Sequence, residues 1–81
     1  MNIVEFTEFL VTKITKNPDA VVVKEFKKDD VLTIEILVSE EDMGRVIGKQ
    51  GKIALSVKTL VQAKAYNDGI KNVRVNIDSI K

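Results

Sequence analysis

The sequence contains no cysteine, no histidine and no tryptophan, and it has one proline among 81 residues. Without cysteine there is no disulfide framework and no thiolate site. Without histidine, the usual zinc ligand and the commonest general base near neutral pH are both missing. These absences argue against most metal-dependent and acid–base enzymes, so we expect no enzyme activity, no metal and no cofactor.

Long apolar runs are also absent. No stretch approaches the roughly 18 apolar residues that a membrane-spanning helix needs. Glu5, Glu8 and Lys13 interrupt the N-terminal apolar pattern, which is therefore no signal peptide. We expect a cytoplasmic protein that does not contact a membrane. Because 81 residues suffice for one modest core only, we assign residues 1–81 to a single domain.

The net charge of +1 conceals an uneven distribution of charge along the chain. Residues 43–67 hold five cations and no acid, whereas the remaining residues hold eight cations and twelve acids. A lysine-rich helix face is often no more than a solvated surface. Here, however, a basic segment lies on an otherwise acidic chain and surrounds a distinctive motif, so it indicates an anionic partner.

That motif places Gly48 and Gly51 three residues apart, with Lys49 and Gln50 between them and helical apolar spacing on both sides. We expect Gly48 to adopt the left-handed conformation that ends a helix, and Gly51 to allow another backbone to approach closely. The amides from Lys49 to Lys52 would then lie at the start of a second helix. Unpaired N–H groups and the helix dipole favour an anion there, and phosphate is the obvious candidate.

The residues around the turn extend this candidate site. A glycine inside a helix costs about 1 kcal/mol relative to alanine, so Gly44 indicates that something passes close to that helix face. A nucleic-acid backbone and a neighbouring helix explain it equally well. Val46, Ile47 and Ile53 offer aliphatic surface beside the turn, although we expect at least one of them to be fully buried.

Helical apolar spacing covers residues 2–16 and ends before Pro18. Residues 20–26 and 31–38 are rich in β-branched side chains and predict two strands joined by a polar turn at 27–30, and alternation over 73–77 predicts a third. A capping sequence, 39–42, begins a helix that runs to residue 47. The core set is then Leu32, Ile34, Ile36 and Val38 from the second strand, and Ile53, Val57, Leu60, Val61 and Ala65 from the helix over 52–66.

The stretch Val-Ile-Gly-Lys-Gln-Gly-Lys-Ile at 46–53 resembles the signature of the KH domain, an RNA-binding module with a GxxG loop. The order helix, strand, strand, helix, GxxG, helix, strand resembles the type II KH arrangement over essentially the whole chain. Residues 41–52 further resemble the KhpA family of small bacterial RNA-binding proteins. The resemblance implies an α+β fold (α-β-β-α-α-β), in which three helices pack on one face of a three-stranded sheet.

The resemblance also implies a function: a non-catalytic protein that clamps the backbone of single-stranded RNA, as a post-transcriptional regulator or RNA chaperone. The family's RNA contacts carry over onto Gly48, Lys49, Gln50 and Gly51, with Ile47 and Ile53 beside them. Together with the neighbouring residues argued from the sequence, the expected RNA-binding set is Gly44, Arg45, Val46, Ile47, Gly48, Lys49, Gln50, Gly51, Lys52 and Ile53. Because no aromatic residue lies between 39 and 61, bases would lie against aliphatic surface rather than stack on rings. The family further implies a homodimer, or a heterodimer with a larger KH-domain protein. Leu55 is the candidate for the apolar contact.

Two alternatives compete with this interpretation. An enzyme is disfavoured because the adjacent acids Glu40, Glu41 and Asp42 point in different directions on a helix, and because the glycines do not match a nucleotide-binding loop. The second alternative is a protein–protein scaffold or dimerisation subunit whose RNA groove is unused. We would expect such a domain to lose the cation or a glycine from the loop, and this sequence retains both.

Overall fold

The computed structural model describes residues 1–80 and contains three helices and three strands in the predicted order. These elements are α1 (Ile3–Ile14), β1 (Val22–Lys28), β2 (Val31–Val38), α2 (Glu40–Ile47), α3 (Lys52–Asn67) and β3 (Val73–Ser79). Short 3₁₀ turns cover Pro18–Ala20 and Lys49–Gly51. Within the described residues, no helix combines the length and the apolarity that crossing a membrane requires.

Helix α1 begins at a capping box. The Asn2 side chain accepts the amide of Glu5 at 2.8 Å, and the Glu5 carboxylate accepts the amide of Asn2 at 3.2 Å. Two donors that a helix start leaves unpaired are thereby satisfied. Ile3, Thr7 and Val11 form the buried face, and the Thr7 hydroxyl donates to the Ile3 carbonyl at 2.7 Å. The helix ends two residues earlier than the apolar spacing predicts.

Strands β1 and β2 form a hairpin with a tighter turn than predicted. Only Asp29 and Asp30 lie outside the two strands, and Asp29 has φ +57°. Aspartate tolerates this left-handed conformation better than most residues. Since two residues suffice for the turn, β1 starts and ends two positions later than the sequence predicts.

The sheet has the order β1-β2-β3, with β1 antiparallel and β3 parallel to the central strand. Two parallel neighbours cannot be joined by a tight turn, because the chain must return to the same end of the sheet. Here α2, the glycine turn and α3 make that return. The parallel pairing therefore determines that the turn joins two helices lying over the sheet.

The core lies between one face of the sheet and the three helices. The four predicted core residues of β2 are all buried, and they alternate with half-buried residues that point to the opposite face. Buried residues of the three helices complete the same cluster: Ile3, Val11, Val46, Val57, Val61 and Ala65. Fully burying each aliphatic side chain contributes about 1.5–3 kcal/mol. Among residues 1–80, no helix covers the opposite face of the sheet.

Candidate nucleic-acid interface

Helix α2 starts from a well-capped and anchored first turn. Ser39 is its N-cap, and the Ser39 hydroxyl accepts the amide of Asp42 at 3.2 Å, as the capping sequence predicts. Asp42 itself is fully buried, which the sequence analysis does not predict. The amides of Lys16 and Asn17, just after α1, donate to its two carboxylate oxygens at 2.8 Å each. The end of α1 is thus joined to the start of α2.

Asp42 remains a carboxylate in this environment. Burial alone would raise its pKa, but the amides of Lys16 and Asn17 and the Ser39 hydroxyl favour the charged form, so the pKa lies below the usual value of 3.8. Arg45 Nε lies 3.8 Å from Asp42 Oδ1, within ion-pair distance, and the arginine side chain is 58 % exposed. A buried negative charge therefore lies directly behind an exposed cation.

The exposed side of α2 carries a strip made of Gly44 and Gly48, four positions apart and so on one helix face. At 100° per residue, Ile47 borders this strip on one side and Arg45 on the other. Ile47 is 38 % exposed. The backbone is consequently open at Gly44, whereas Ile53 packs against the Gly48 end. The strip has an apolar margin and a cationic margin, which suits a strand that has bases on one side and phosphates on the other.

The turn after α2 has the backbone conformation that its glycines permit. Gly48 has φ +72° and ψ −175°, Gln50 has φ +57° and ψ +26°, and Gly51 has φ +74° and ψ +10°. The first of these is a positive-φ conformation with extended ψ rather than the predicted left-handed helical one. Gln50 is in the left-handed region without being glycine, which is uncommon for a side chain with a Cβ.

The two glycines of the turn differ in what a side chain would meet at each position. A Cβ on Gly48 would lie 2.5 Å from Ile53 Cγ1, so Gly48 is where a close approach occurs. A Cβ on Gly51 would meet no atom within 4 Å. Within the described residues nothing approaches Gly51 closely, whereas the side chain of Ile53, the second residue of α3, folds back against Gly48 at the end of α2. That a ligand backbone approaches Gly51 stays a prediction.

The amides of the turn are partly used by the turn itself. The Gly51 amide donates to the Gly48 carbonyl at 3.3 Å, and the Lys52 amide donates to the Lys49 carbonyl. Among the described residues, no backbone or side-chain acceptor is recorded for the amides of Lys49 and Gln50. Two amides rather than the expected four are thus available to an anion.

Cations surround this pair of amides. Of the five basic residues between 43 and 67, Lys64 pairs with Asp68 at 3.2 Å, and Arg45 lies beside Asp42. The other three make no ion pair within residues 1–80: Lys49, Lys52 and Lys58. Lys49 and Lys52 are exposed at the turn. The positive charge predicted from the sequence is consequently concentrated where the free amides are.

The predicted aliphatic surface is smaller than proposed. Val46 is fully buried and belongs to the core, which fulfils the expectation that at least one of the three is buried. It therefore cannot touch a ligand directly. Ile47 and Ile53 are 38 % and 39 % exposed and remain available. On α3 the prediction that Ile53 and Leu60 belong to the core is wrong, because both are exposed: Ile53 lies at the turn, and Leu60, about half exposed, lies at the edge of the buried stripe.

A separate open cleft lies at the other end of the molecule, lined by residues of the hairpin and of the α3–β3 connection: Glu25, Lys27, Asp30, Leu32, Gly69, Ile70, Lys71 and Asn72. Helix α3 has 16 residues, so it separates this cleft from the glycine turn by about 24 Å. Its acids and lysines offset each other. It therefore lacks the excess positive charge of the turn.

An α-β-β-α-α-β chain with its last two helices joined by GxxG is a KH domain of type II. The same fold occurs in Era of Aquifex aeolicus bound to GDP·AlF4⁻, with a TM-score of 0.68 and 20 % identity over 96 % of this chain. Era in complex with MgGDPNP and nucleotides 1506–1542 of 16S ribosomal RNA has a TM-score of 0.69 and 19 % sequence identity over 95 % of this chain. This chain spans 30 % and 29 % of those two Era chains, and at such identity the likeness establishes the fold alone.

Closer similarity is found among small proteins. The family model described as KhpA/KhpB, KH domain matches residues 4–77. RNA-binding protein KhpA of Caldanaerobacter subterraneus subsp. tengcongensis is 44 % identical over 64 residues, which are 79 % of this chain and 85 % of that protein. KhpA of Clostridium perfringens is 39 % identical over 69 residues, 85 % and 92 % of the two chains. KhpA of Listeria monocytogenes is 43 % identical over 68 residues, which are 84 % of this chain and 88 % of that protein.

This chain therefore belongs to the KhpA/KhpB KH-domain family. That family is non-enzymatic, in agreement with the conclusion from sequence that the chain is not an enzyme.

Proposed function

We propose that this protein binds single-stranded RNA with the GxxG turn, holding the sugar–phosphate backbone rather than reading a duplex. The observation that carries the proposal is the coincidence at one corner of two free amides, those of Lys49 and Gln50, with unpaired lysines. Free amides and mobile cations together favour phosphate. The relatives named RNA-binding protein KhpA support RNA as the polymer that supplies it.

Gly44 adds an argument that is independent of charge. A Cβ at this position would meet no atom within 4 Å, so packing inside the protein does not require a glycine there. The same absence of a side chain leaves the helix backbone exposed at Gly44. A strand lying on this strip explains why a destabilising residue is found in α2, whereas the neighbouring-helix explanation has no contact to support it among the described residues.

The residues on the two sides of the strip suit different parts of a nucleotide. Ile47 and Ile53 provide apolar surface for bases, and Arg45, Lys49 and Lys52 provide charge for phosphates. About three phosphate contacts would give a slope of log affinity against log salt of roughly −2, since each contact on a single strand contributes about −0.7. So small a footprint implies modest affinity for one copy of the chain.

Modest affinity favours joining two sites, because a second linked site raises apparent affinity without new contacts. We propose that the chain acts as a homodimer or with a larger KH-domain protein, in the cytoplasm, as a post-transcriptional regulator or RNA chaperone.

Leu55 is 65 % exposed and lies on the same α3 stripe as the exposed Tyr66. Sedimentation of the Leu55→Glu variant should show loss of self-association and an unchanged monomer fold.

The test of RNA binding replaces both central residues of the loop with aspartate. Lys49→Asp together with Gln50→Asp changes the charge by −3 and places carboxylates at the phosphate position. The matched control, Lys71→Asp with Asn72→Asp, also changes the charge by −3, but it lies beyond the far end of α3 and both residues are exposed. Fluorescence anisotropy with a short unstructured RNA measures affinity, and circular dichroism confirms the fold.

An RNA clamp at the turn predicts that the loop variant loses at least tenfold in affinity while the control loses much less. Equal losses would mean that only overall charge matters, and the clamp would be wrong. The scaffold alternative predicts something different: no RNA binding by the unmodified chain under these conditions, and retained binding to a protein partner by both variants.

A further inference from the structure

We infer that Asp42 is a positioning residue for RNA binding, which holds the Arg45 guanidinium beside the strip formed by Gly44 and Gly48. The inference rests on the proposed function, since Arg45 has a ligand only if RNA lies on that strip. It gives a role to the one fully buried charged side chain among residues 1–80, which the proposed clamp does not use.

Asp42 is fixed in place from both sides of its carboxylate. Oδ1 accepts the amide of Lys16, and Oδ2 accepts the amide of Asn17 and the Ser39 hydroxyl, the latter at 3.2 Å. Two of these donors belong to the segment that follows α1, 25 and 26 residues away in the sequence. Rotation of the carboxylate would break both hydrogen bonds from these backbone amides. Its negative charge therefore has a fixed position and direction.

Arg45 lies against this fixed charge. The 3.8 Å between its Nε and Asp42 Oδ1 is too long for a hydrogen bond but within the range of an ion pair. A guanidinium attracted through its Nε side retains two terminal amino groups, which suit the forked contact of arginine with phosphate. The side chain is 58 % exposed, so solvent and ligand can reach it.

Arg45 has a second acidic residue within reach, so its pairing with Asp42 is a choice between two partners. Glu41 lies four positions before Arg45, at the spacing that favours a salt bridge on a helix surface. Yet within the described residues Arg45 is paired with Asp42, and the Glu41 carboxylate instead accepts the Asn17 side-chain amide at 3.5 Å. The buried charge therefore prevails over the exposed one and keeps the guanidinium from turning along the helix toward the acidic first turn.

Because Asp42 already orders the Arg45 side chain in the free protein, less conformational entropy is lost when RNA binds. Immobilising a long side chain on binding costs about 0.5–1.5 kcal/mol, so an arginine that is already ordered binds phosphate about two- to tenfold more tightly. Without Asp42, the same cation would have to be ordered by the RNA itself and would compete with the attraction of Glu41.

A double-mutant cycle on Asp42→Asn and Arg45→Gln tests the inference with the full chain and a short unstructured RNA. Asp42→Asn should weaken RNA binding about two- to tenfold in the unmodified chain and have no effect in the Arg45→Gln background. Equal losses in both backgrounds, or no loss in either, would overturn the inference. Ile34→Val, a destabilising change in the buried core, serves as the stability control and should leave the affinity of the folded protein unchanged.

If Asp42→Asn does not fold, Arg45→Lys provides an independent test, because Arg45 is exposed and its replacement is tolerated by the fold. Lysine keeps the charge but has a single nitrogen, so it lacks the fork with which arginine can face Asp42 through Nε and offer two amino groups to a phosphate. The inference predicts a loss about as large as that of Arg45→Gln, and full retention of affinity would overturn it. Loss of RNA binding in the Lys49→Asp, Gln50→Asp variant tests the clamp separately, so failure of this inference can be distinguished from failure of the clamp.

Discussion

At the scale of single residues, the glycines of this domain are distinguished by what a side chain would meet at each position. At Gly48 a Cβ would collide with Ile53. At Gly51 it would meet no atom, but the positive φ disfavours a side chain. At Gly44 there is neither a collision nor a positive φ. The sequence signals that glycine matters at all three positions. It does not reveal which one is needed by the fold and which one by a ligand, since that depends on where Ile53 lies in three dimensions.

Replacing Gly44 with alanine should therefore stabilise the protein and weaken RNA binding. Alanine is favoured over glycine in a helix by about 1 kcal/mol, and no clash opposes the gain. The new methyl group would stand on the proposed path of the strand. Thermal denaturation and RNA titration check the two effects, and Ala63→Gly on the exposed side of α3 is the control, with lower stability and unchanged affinity. If Gly44→Ala binds RNA normally, the strip is not the path of the strand.

Gly48→Ala should destabilise the fold by more than Gly51→Ala. Gly51→Ala would adopt the left-handed helical region at a cost of about 1–2 kcal/mol. Gly48→Ala would adopt a positive φ with extended ψ, a region essentially restricted to glycine, and its Cβ would also lie against Ile53, which adds about 1–3 kcal/mol of overpacking. Combining Gly48→Ala with Ile53→Ala should recover part of that second cost, as denaturant titration of the cycle would measure. Equal costs for the two single replacements would contradict the close approach at Gly48.

At the scale of elements, the helices and strands were predictable where local chemistry determines them. The Ser39 cap and the alternation of β2 appear as expected. The glycine turn lies where it was expected, but Gly48 adopts an extended ψ rather than the predicted left-handed helical conformation. The limits of α1 and β1 shifted by two residues because the lengths of turns depend on the partner strand and on tertiary contacts. The link from α1 to α2 through Asp42 had no local signal, since its donors lie 25 and 26 positions away.

Asp42 should make stability depend on pH in the acid range. Its pKa is lowered in the folded protein, so its contribution is complete above about 3.8 and is lost as pH falls through the lower, folded value. Asp42→Asn should lower the melting temperature near neutral pH by on the order of 10 °C. The difference between the two proteins should shrink below pH 3.8, whereas exposed Glu40→Gln should show little effect. A difference that stays constant to the lowest pH would contradict the assignment.

At the scale of the whole molecule, the fold concentrates positive charge at one corner of a chain that is otherwise acidic. This was the most reliable prediction from the sequence, because charge and its position along the chain need no knowledge of packing. The extent of aliphatic surface was less predictable: periodicity cannot distinguish a residue at the centre of a buried stripe, such as Val61, from one at its edge, such as Leu60.

The small footprint predicts a shallow dependence of RNA affinity on salt. About three phosphate contacts give a slope of roughly −2, which corresponds to a tenfold to twentyfold loss of affinity between about 50 and 200 mM salt. Anisotropy titrations at several salt concentrations measure the slope directly. Arg45→Gln should make it shallower by about 0.7, while Lys71→Gln, at the distant cleft, should leave it unchanged. A slope of −5 or steeper would indicate contacts well beyond the turn.

The most direct measurement is an NMR titration of the isotope-labelled protein with a short single-stranded RNA. The account predicts that the amides of Lys49 and Gln50 shift first and furthest, followed by those of Gly44 and Gly48, with little change at the α3–β3 connection. Binding that leaves the amides of the turn unmoved, or shifts confined to the far end of the molecule, would contradict it.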